Sequence, residues 1–272
     1  MNDNYLIIGK SMFSIELNKQ LNQAGKKVKI IERILPNTSE VLTEGITHLI
    51  VTPQCNSVSD SLSYDLYFTN VELYRRMLFE ARDKNINNVT LFSSGSIYGK
   101  AHRLPIRETV QIDYLNLDKY ALSKIAMETI AISMKNDFER LVILRPFMMY
   151  GKNIKSPRLL ARLPEILAEK QRIKLASNIG MIINPIHVSD AAKIVINTMK
   201  YSGFDVLNLC GNQDLSLKNI VEILSNKMKL KPNIKVTDED YIFLCGSLEK
   251  ISKYIDMPLM KFEDGVIDLL KR

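Results

Sequence analysis

Tyr120-Ala-Leu-Ser-Lys124 places a phenol and an ammonium four residues apart in a stretch of helical period, hence on one helix face. An ammonium beside a phenol favours the phenolate and lowers its pKa, as an acid/base working near neutrality requires. Of the 11 tyrosines, only Tyr120 is followed by lysine at this spacing. Taken alone, the pair also suits an ordinary solvated helix face. Upstream, the apolar run Asn88-Val-Thr-Leu-Phe92 leads into Ser93-Ser94-Gly95-Ser96-Ile97-Tyr98-Gly99. A serine at the C-terminal end of a buried parallel strand stands where open α/β sheets bind ligands, and the Ser94 hydroxyl can donate to a substrate oxygen. A Ser/Gly-rich turn is the plainer reading. Near the N-terminus, Gly9 separates an apolar strand from a helix, and Glu32 ends the next strand. That arrangement sets a pyrophosphate at a helix N-terminus and a carboxylate on the adenosine ribose. Along G-x-x-G-x-x-G spacing, however, Met12 and Ile15 replace the second and third glycines, putting side chains where backbone would approach phosphate. The first βα turn of any α/β protein is the alternative.

These groups need a scaffold, and the chain supplies one. Tyr5–Ile8, Lys27–Glu32, His48–Thr52, Asn88–Ser94 and Leu141–Pro146 are short β-branched runs that read as buried strands. Helical patterns lie near 12–24, 66–84, 118–136 and 156–169, with Gly25 where the first should stop. Strands alternating with helices predict a parallel sheet covered on both faces. Beyond residue 150 the alternation loosens. Helices near 189–200 and 216–228, the second capped by Ser216, flank a strand at 205–210. The expected fold class is α/β: a Rossmann-like, doubly wound parallel sheet with a smaller interleaved C-terminal substrate lobe. Residues 1–150 form the dinucleotide-binding domain, with its sheet completed by about 184–210. Residues 151–183 and 211–272 form the lobe.

Composition narrows the function. In 272 residues, 37 Lys+Arg against 30 Asp+Glu give a net charge of +7, dispersed without a basic arm. A solvated surface or steering toward an anionic small molecule fits; a nucleic-acid stripe does not. No apolar run reaches the ~20 residues of a membrane helix, and no signal peptide is visible, so a cytoplasmic protein is expected. Cys55, Cys210 and Cys245 are scattered and read as reduced thiols. His48, His102 and His187 lack ligand spacing, so no metal is expected. The 12 methionines read as core filling, Met148-Met149 being alternatively pocket-lining.

In this order the segments resemble the extended short-chain dehydrogenase/reductase family, of the NAD-dependent epimerase/dehydratase type. SSGSIYG is similar to its serine strand end, and YALSKIAMET to its Y-x-x-x-K helix with a trailing glutamate. Asn70-Val71 is similar to its N-V-x-x-T segment, LRPFMMYGKN to its R-P-x-x-x-Y-G turn, and NPIHVSDAA to its I-H-V-x-D-x-A segment. LNLCGNQDLSLKNIV resembles the stretch before the final lobe. The resemblance implies Ser94, Tyr120 and Lys124 as catalytic residues. Tyr120 is then the acid/base, Lys124 lowers its pKa and holds the nicotinamide ribose, and Ser94 polarises the same substrate oxygen. The cofactor does the hydride chemistry. Cofactor-binding positions are Gly9, Ser11, Met12, Phe13, Glu32, Arg33, Thr52, Tyr120, Lys124 and Pro146. Substrate-binding positions are Ser94, Ser96, Met148 and Arg158. Asn70 either supports the active-site helix or caps a helix. NAD is the expected cofactor because Glu32 repels a 2′-phosphate, while Arg33 leaves NADP open. The implied partners are a small-molecule substrate of sugar-nucleotide type and a second copy of the chain, through helices 66–84 and 118–136.

Several positions depart from the family pattern. Val51-Thr52-Pro53-Gln54 replaces its H-L-A-A turn. Gly95 and Ser96 stand where dehydratases carry Asp-Glu, which disfavours a 4,6-dehydratase, and Ser96 replaces the cysteine of the fucose-synthase type. Ile183 replaces a phosphate-binding arginine, for which Arg158 and Arg162 are candidate substitutes beside the reading of a solvated helix face. The expected activity is an NAD(P)-dependent oxidoreductase or epimerase on a nucleotide sugar or related hydroxy/keto compound. The alternative is a catalytically weak or inactive member of the fold that binds or regulates.

Overall fold

A computed structural model describes residues 3–35, 38, 40–55, 66–99, 105–154 and 158–271. The first half alternates strands and helices: β1 Asn4–Ile8, α1 Met12–Gln23, β2 Lys27–Ile31, β3 His48–Val51, α2 Leu73–Asp83, β4 Asn88–Phe92, α3 Lys119–Ser133 and β5 Arg140–Pro146. Then come β6 Met148–Tyr150, α4 Leu159–Ala168, β7 Arg172–Ala176, β8 Ile182–Ile183, β9 Pro185–His187, α5 Val188–Thr198 and β10 Gly203–Leu209. β11 Leu215–Ser216, α6 Leu217–Met228, β12 Asn233–Thr237, β13 Phe243–Leu244, α7 Phe262–Gly265 and α8 Ile267–Leu270 complete the order. Residues 156 and 157 of the expected fourth helix, and His102, lie outside the described residues.

Six strands form one sheet in the order β10-β5-β4-β3-β1-β2. The pairs β1·β2, β1·β3, β3·β4 and β4·β5 are all parallel. From β1 the chain first steps outward to β2 and then returns to the other side of β1 as β3. This reversal is the switch point at which open sheets bind ligands, beyond the strands' C-terminal ends. Period-two burial explains the layer beneath: Leu6, Ile8, Leu49, Val51, Val89, Leu91, Leu141 and Ile143 share one core with Met77 and Leu78 of α2 and Met127 and Ala131 of α3. β2 corrects one expectation. It is an edge strand, and its Lys27 and Lys29 are exposed, charges of the kind that discourage pairing with another chain.

The chain groups into two compact units. The first comprises the described residues of Met1–Gly99, Gln111–Pro146 and Ala192–Leu207 and holds the sheet. The second comprises those of Lys100–Val110, Phe147–Ala191 and Asn208–Arg272, with three small sheets, β11-β8-β13, β12-β7 and β6-β9. Its core joins Leu160, Leu163 and Leu167 of α4 to Ile220, Val221 and Leu224 of α6, with Tyr150 and Phe262. His187 is structural there: Nδ1 lies 2.7 Å from Ser189 Oγ, Nε2 3.3 Å from Asp268, and Tyr150 packs edge-on to its ring.

Candidate active site

The site is built where β4 ends. Ser93 N–H donates to Leu144 O of β5 at 2.7 Å, and the chain then leaves the sheet. Ser94, in extended backbone, caps the 3-10 turn Gly95–Tyr98. Its Oγ accepts from Ser96 N–H at 3.2 Å and from the Ser96 hydroxyl at 3.0 Å. Ser94 and Ser96 are both half-buried.

Asp118 caps α3 by accepting from Ala121 N–H at 2.8 Å, which puts Tyr120 in the first turn and Lys124 in the next. Tyr120 is half-buried, and its carbonyl accepts from Ser123 Oγ at 2.7 Å. Ser123 Oγ in turn accepts from Asn70 Nδ2 at 3.0 Å. Asn70 lies in a π-helical turn, Phe68–Glu72, that leads into α2, and it is fully buried. It is therefore not a helix N-cap. Its carboxamide clamps Cys55 on both sides, accepting from Cys55 N–H at 3.0 Å and donating to Cys55 O at 3.1 Å. One side chain thus ties the segment after β3 to the helix that carries Tyr120. π turns of this kind recur at functional sites.

Lys124 departs from the picture of an exposed helix face. It is 0% exposed, and Nζ donates to Phe92 O at 3.0 Å with Pro53 O at 3.4 Å and the Tyr74 phenol at 3.5 Å. Burial lowers its pKa to about 7, against a smaller upward pull from Glu128. Tyr74 is equally buried. Burial raises its pKa well above the ordinary phenol value, and the nearby Tyr120 pushes the same way.

One turn beyond Lys124, Glu128 receives a bidentate pair from Arg145 of β5, Nε at 3.0 Å and Nη2 at 2.7 Å. Arg145 Nη1 also donates to Tyr98 OH at 2.7 Å. Burial works against the Arg145 charge, but Glu128 outweighs it and raises the pKa further. This triad joins α3, β5 and the turn that Ser94 starts.

At the switch point, Gly9 has φ +95°, and a Cβ there would meet Thr52 Oγ1 at 2.7 Å. The fold itself therefore requires this glycine. Thr52 Oγ1 donates to Ile8 O at 2.8 Å. Ser11 caps α1 in a reciprocal box with Ser14: Ser14 N–H donates to Ser11 Oγ, and Ser11 N–H to Ser14 Oγ. Met12 and Phe13 amides, in the first turn, have no carbonyl one turn back within the helix, and an anion can satisfy such groups. Met12 is 6% exposed, so its bulk lies inside the unit and not over the helix terminus. Ile15 is 40% exposed. Glu32 follows β2 and pairs with Lys10 across an exposed surface, and Arg33 beside it is exposed. The adenosine end thus suits a dinucleotide: a helix N-terminus, a close-approach glycine and a terminal carboxylate. The Lys124 end suits it only if Nζ leaves its carbonyls.

Pro146 ends β5 and is buried. Met148, in β6, and Arg158, an exposed residue before α4, belong to the second unit, as does the exposed Arg162. The described residues hold no cluster of metal-ligating side chains, and none of their helices is long and apolar enough to cross a membrane. Sequence reading missed Tyr74 and the Arg145–Glu128–Tyr98 triad. For Tyr74 a signal existed: it stands where the N-V-x-x-T pattern carries threonine.

A doubly wound parallel α/β sheet with Gly9 at its switch point and Ser94 at a strand end defines a Rossmann-like fold. The chain belongs to the NAD dependent epimerase/dehydratase family, whose model matches residues 17–210. It is similar to the UDP-glucuronate 4-epimerase of Thermodesulfobacterium geofontis (strain OPF15), 24% identical over 191 residues, 68% of this chain. It spans about 58% of that curated relative's length. Among solved structures, the UDP-glucose 4-epimerase from Brucella ovis in complex with NAD matches with TM-score 0.83 and 17% identity, over 98% of this chain and 97% of that one. TunA, an NAD-dependent NDP-hexosamine 5,6-dehydratase involved in tunicamycin biosynthesis, matches with TM-score 0.82 and 18% identity over the same shares.

Proposed function

We propose that the chain is an NAD-dependent epimerase or ketoreductase acting on a nucleotide sugar. The observation that carries this reading is the placement of Ser94 at the C-terminal end of β4, where the turn it caps packs against α3, the helix that carries the half-buried Tyr120. Membership of an NAD-dependent family and the nucleotide-sugar enzymes among its relatives support the substrate class. Gly9, the Met12 and Phe13 amides and Glu32 would hold NAD, which supplies a hydride acceptor and donor when bound. Tyr120 would take the proton from a sugar hydroxyl and return it to the carbonyl. Ser94 would donate to the same oxygen and fix it within reach of Tyr120, and Asn70 holds the helix turn on which Tyr120 stands. Gly95 and Ser96 offer no second acid and base of the kind that elimination of water uses. A homodimer through α2 and α3 belongs to the same proposal, since Phe79, Leu122 and Ile132 are apolar and exposed on these helices.

The test is incubation with NAD and UDP-glucose or UDP-glucuronate, the product sugar being resolved by NMR. Tyr120→Phe deletes only a hydroxyl and should lower turnover by ~10²-fold or more while NAD binding persists. Unchanged turnover in that variant would refute the assignment. The burial of Lys124 favours the second reading, a binding or regulatory protein; a wild-type chain that binds neither NADH nor NADPH at millimolar concentration would establish it over the first.

A further inference from the structure

Lys124 and Tyr74 share one pair of acceptors. Pro53 O lies 2.9 Å from the Tyr74 phenol and 3.4 Å from Lys124 Nζ; Phe92 O lies 3.0 Å from each. Nζ also sits 4.7 Å from the centre of the Tyr74 ring. Both side chains are 0% exposed. A ligand oxygen needs about the room of a water molecule, and a group without accessible surface offers none. In this arrangement Lys124 touches no ligand.

We propose that Lys124 is stowed on the Pro53 and Phe92 carbonyls in the free protein and turns out to engage a bound dinucleotide, with Tyr74 as the positioning residue that keeps those carbonyls hydrogen-bonded when the lysine leaves. The second half rests on the cofactor reading above. Three ammonium protons and one phenol proton face two carbonyl oxygens, so each oxygen has a donor from both side chains in the stowed state. When Nζ departs, the phenol, already within 3.0 Å of both oxygens, still offers its one proton, shared between them. Without the phenol, departure would strand two buried acceptors, and an unmet buried acceptor is costly enough to shift an equilibrium about ten-fold or more. A threonine at position 74 could not span both carbonyls from the same backbone position, which gives the tyrosine a reason to stand there. Burial lowers the proton affinity of the stowed amine against a smaller upward pull from Glu128, and Tyr120 is the ionisable neighbour of Tyr74 on α3.

Tyr74→Phe separates this role from simple packing, because the two predict opposite signs. If the phenol permits release, Tyr74→Phe holds Lys124 in. Acetic anhydride labelling of Lys124, read by mass spectrometry on the full chain without cofactor, should then slow about ten-fold, and NAD should bind about ten-fold more weakly. If Tyr74 merely packs, its loss loosens the site, and Lys124 labels as fast as before or faster; that result overturns the proposal. Labelling of wild-type Lys124 should also precede global unfolding along a urea series, since release is local. Labelling only with global unfolding, or at the rate of exposed lysines, would equally overturn it, whatever the folding of the variant. The labelling arm uses no cofactor, so failure of wild type to bind NAD refutes the cofactor reading while leaving the stowing of Lys124 to be decided by labelling alone.

Discussion

Glu128→Gln isolates the charge that holds α3 to the sheet. The side chains of Arg145 and Glu128 are 8% and 5% exposed, and the guanidinium makes two bonds to the carboxylate and a third to Tyr98 OH. Its Cζ also lies 5.1 Å from the centre of the Tyr98 ring. Removing one partner of a buried pair leaves an uncompensated charge and costs about 3–5 kcal/mol. Glutamine keeps the shape and one acceptor oxygen, so the low end, about 3 kcal/mol, is expected. At roughly 2 °C per kcal/mol for a chain of this size, the melting temperature should fall by about 6 °C, with the urea m-value unchanged. Replacing all three groups by apolar ones, as Glu128→Leu, Arg145→Met and Tyr98→Phe together, should recover most of that loss, because nothing charged or unpaired then remains. The assay is urea and thermal unfolding followed by circular dichroism. A loss below about 1 kcal/mol for Glu128→Gln would mean the pair is screened by water. A triple variant less stable than Glu128→Gln would place the effect in packing and refute the electrostatic account.

Other expectations follow from the same contacts. His48 is stacked on Tyr5 at 4.4 Å, and burial, helped by Arg140 and Lys26 and opposed by Asp3, pushes its pKa down to about 4. The unfolded chain takes that proton near pH 6.5, so stability is full above pH 6.5 and falls by about 3 kcal/mol as the pH drops to about 4. Denaturant unfolding at stepped pH should show this slope, and His48→Leu should abolish it. Asn70→Leu strands the Cys55 amide and carbonyl; it should cost about 1–3 kcal/mol and lower turnover more than Asn70→Asp, which still accepts from Cys55 N–H. Equal turnover in both would show that the clamp does not position Tyr120.

What the sequence made legible was local, and what it hid was long-range. The strand-and-helix alternation, the Ser216 cap and the Tyr120–Lys124 spacing depend on neighbours within a turn or two, and each fell within a few residues of its expected bounds. The edge position of β2 depends instead on which strand lies outside it, and no period-two pattern in five residues reports that. Asn70 read equally as a cap or as a support because either role begins a helix. Only contacts 15 and 53 residues away, to Cys55 and Ser123, distinguish them. The same limit governs Lys124. Its spacing from Tyr120 puts it on the right face, yet that face looks inward at Phe92 O, 32 residues away, and Tyr74, 50 residues away. Helical phase decides direction, and burial decides whether an ammonium in that direction is a solvated charge or an interior donor near pKa 7. A Y-x-x-x-K spacing therefore fixes which face the lysine takes, while the burial that the fold imposes, opposed in part by Glu128, lowers its proton affinity.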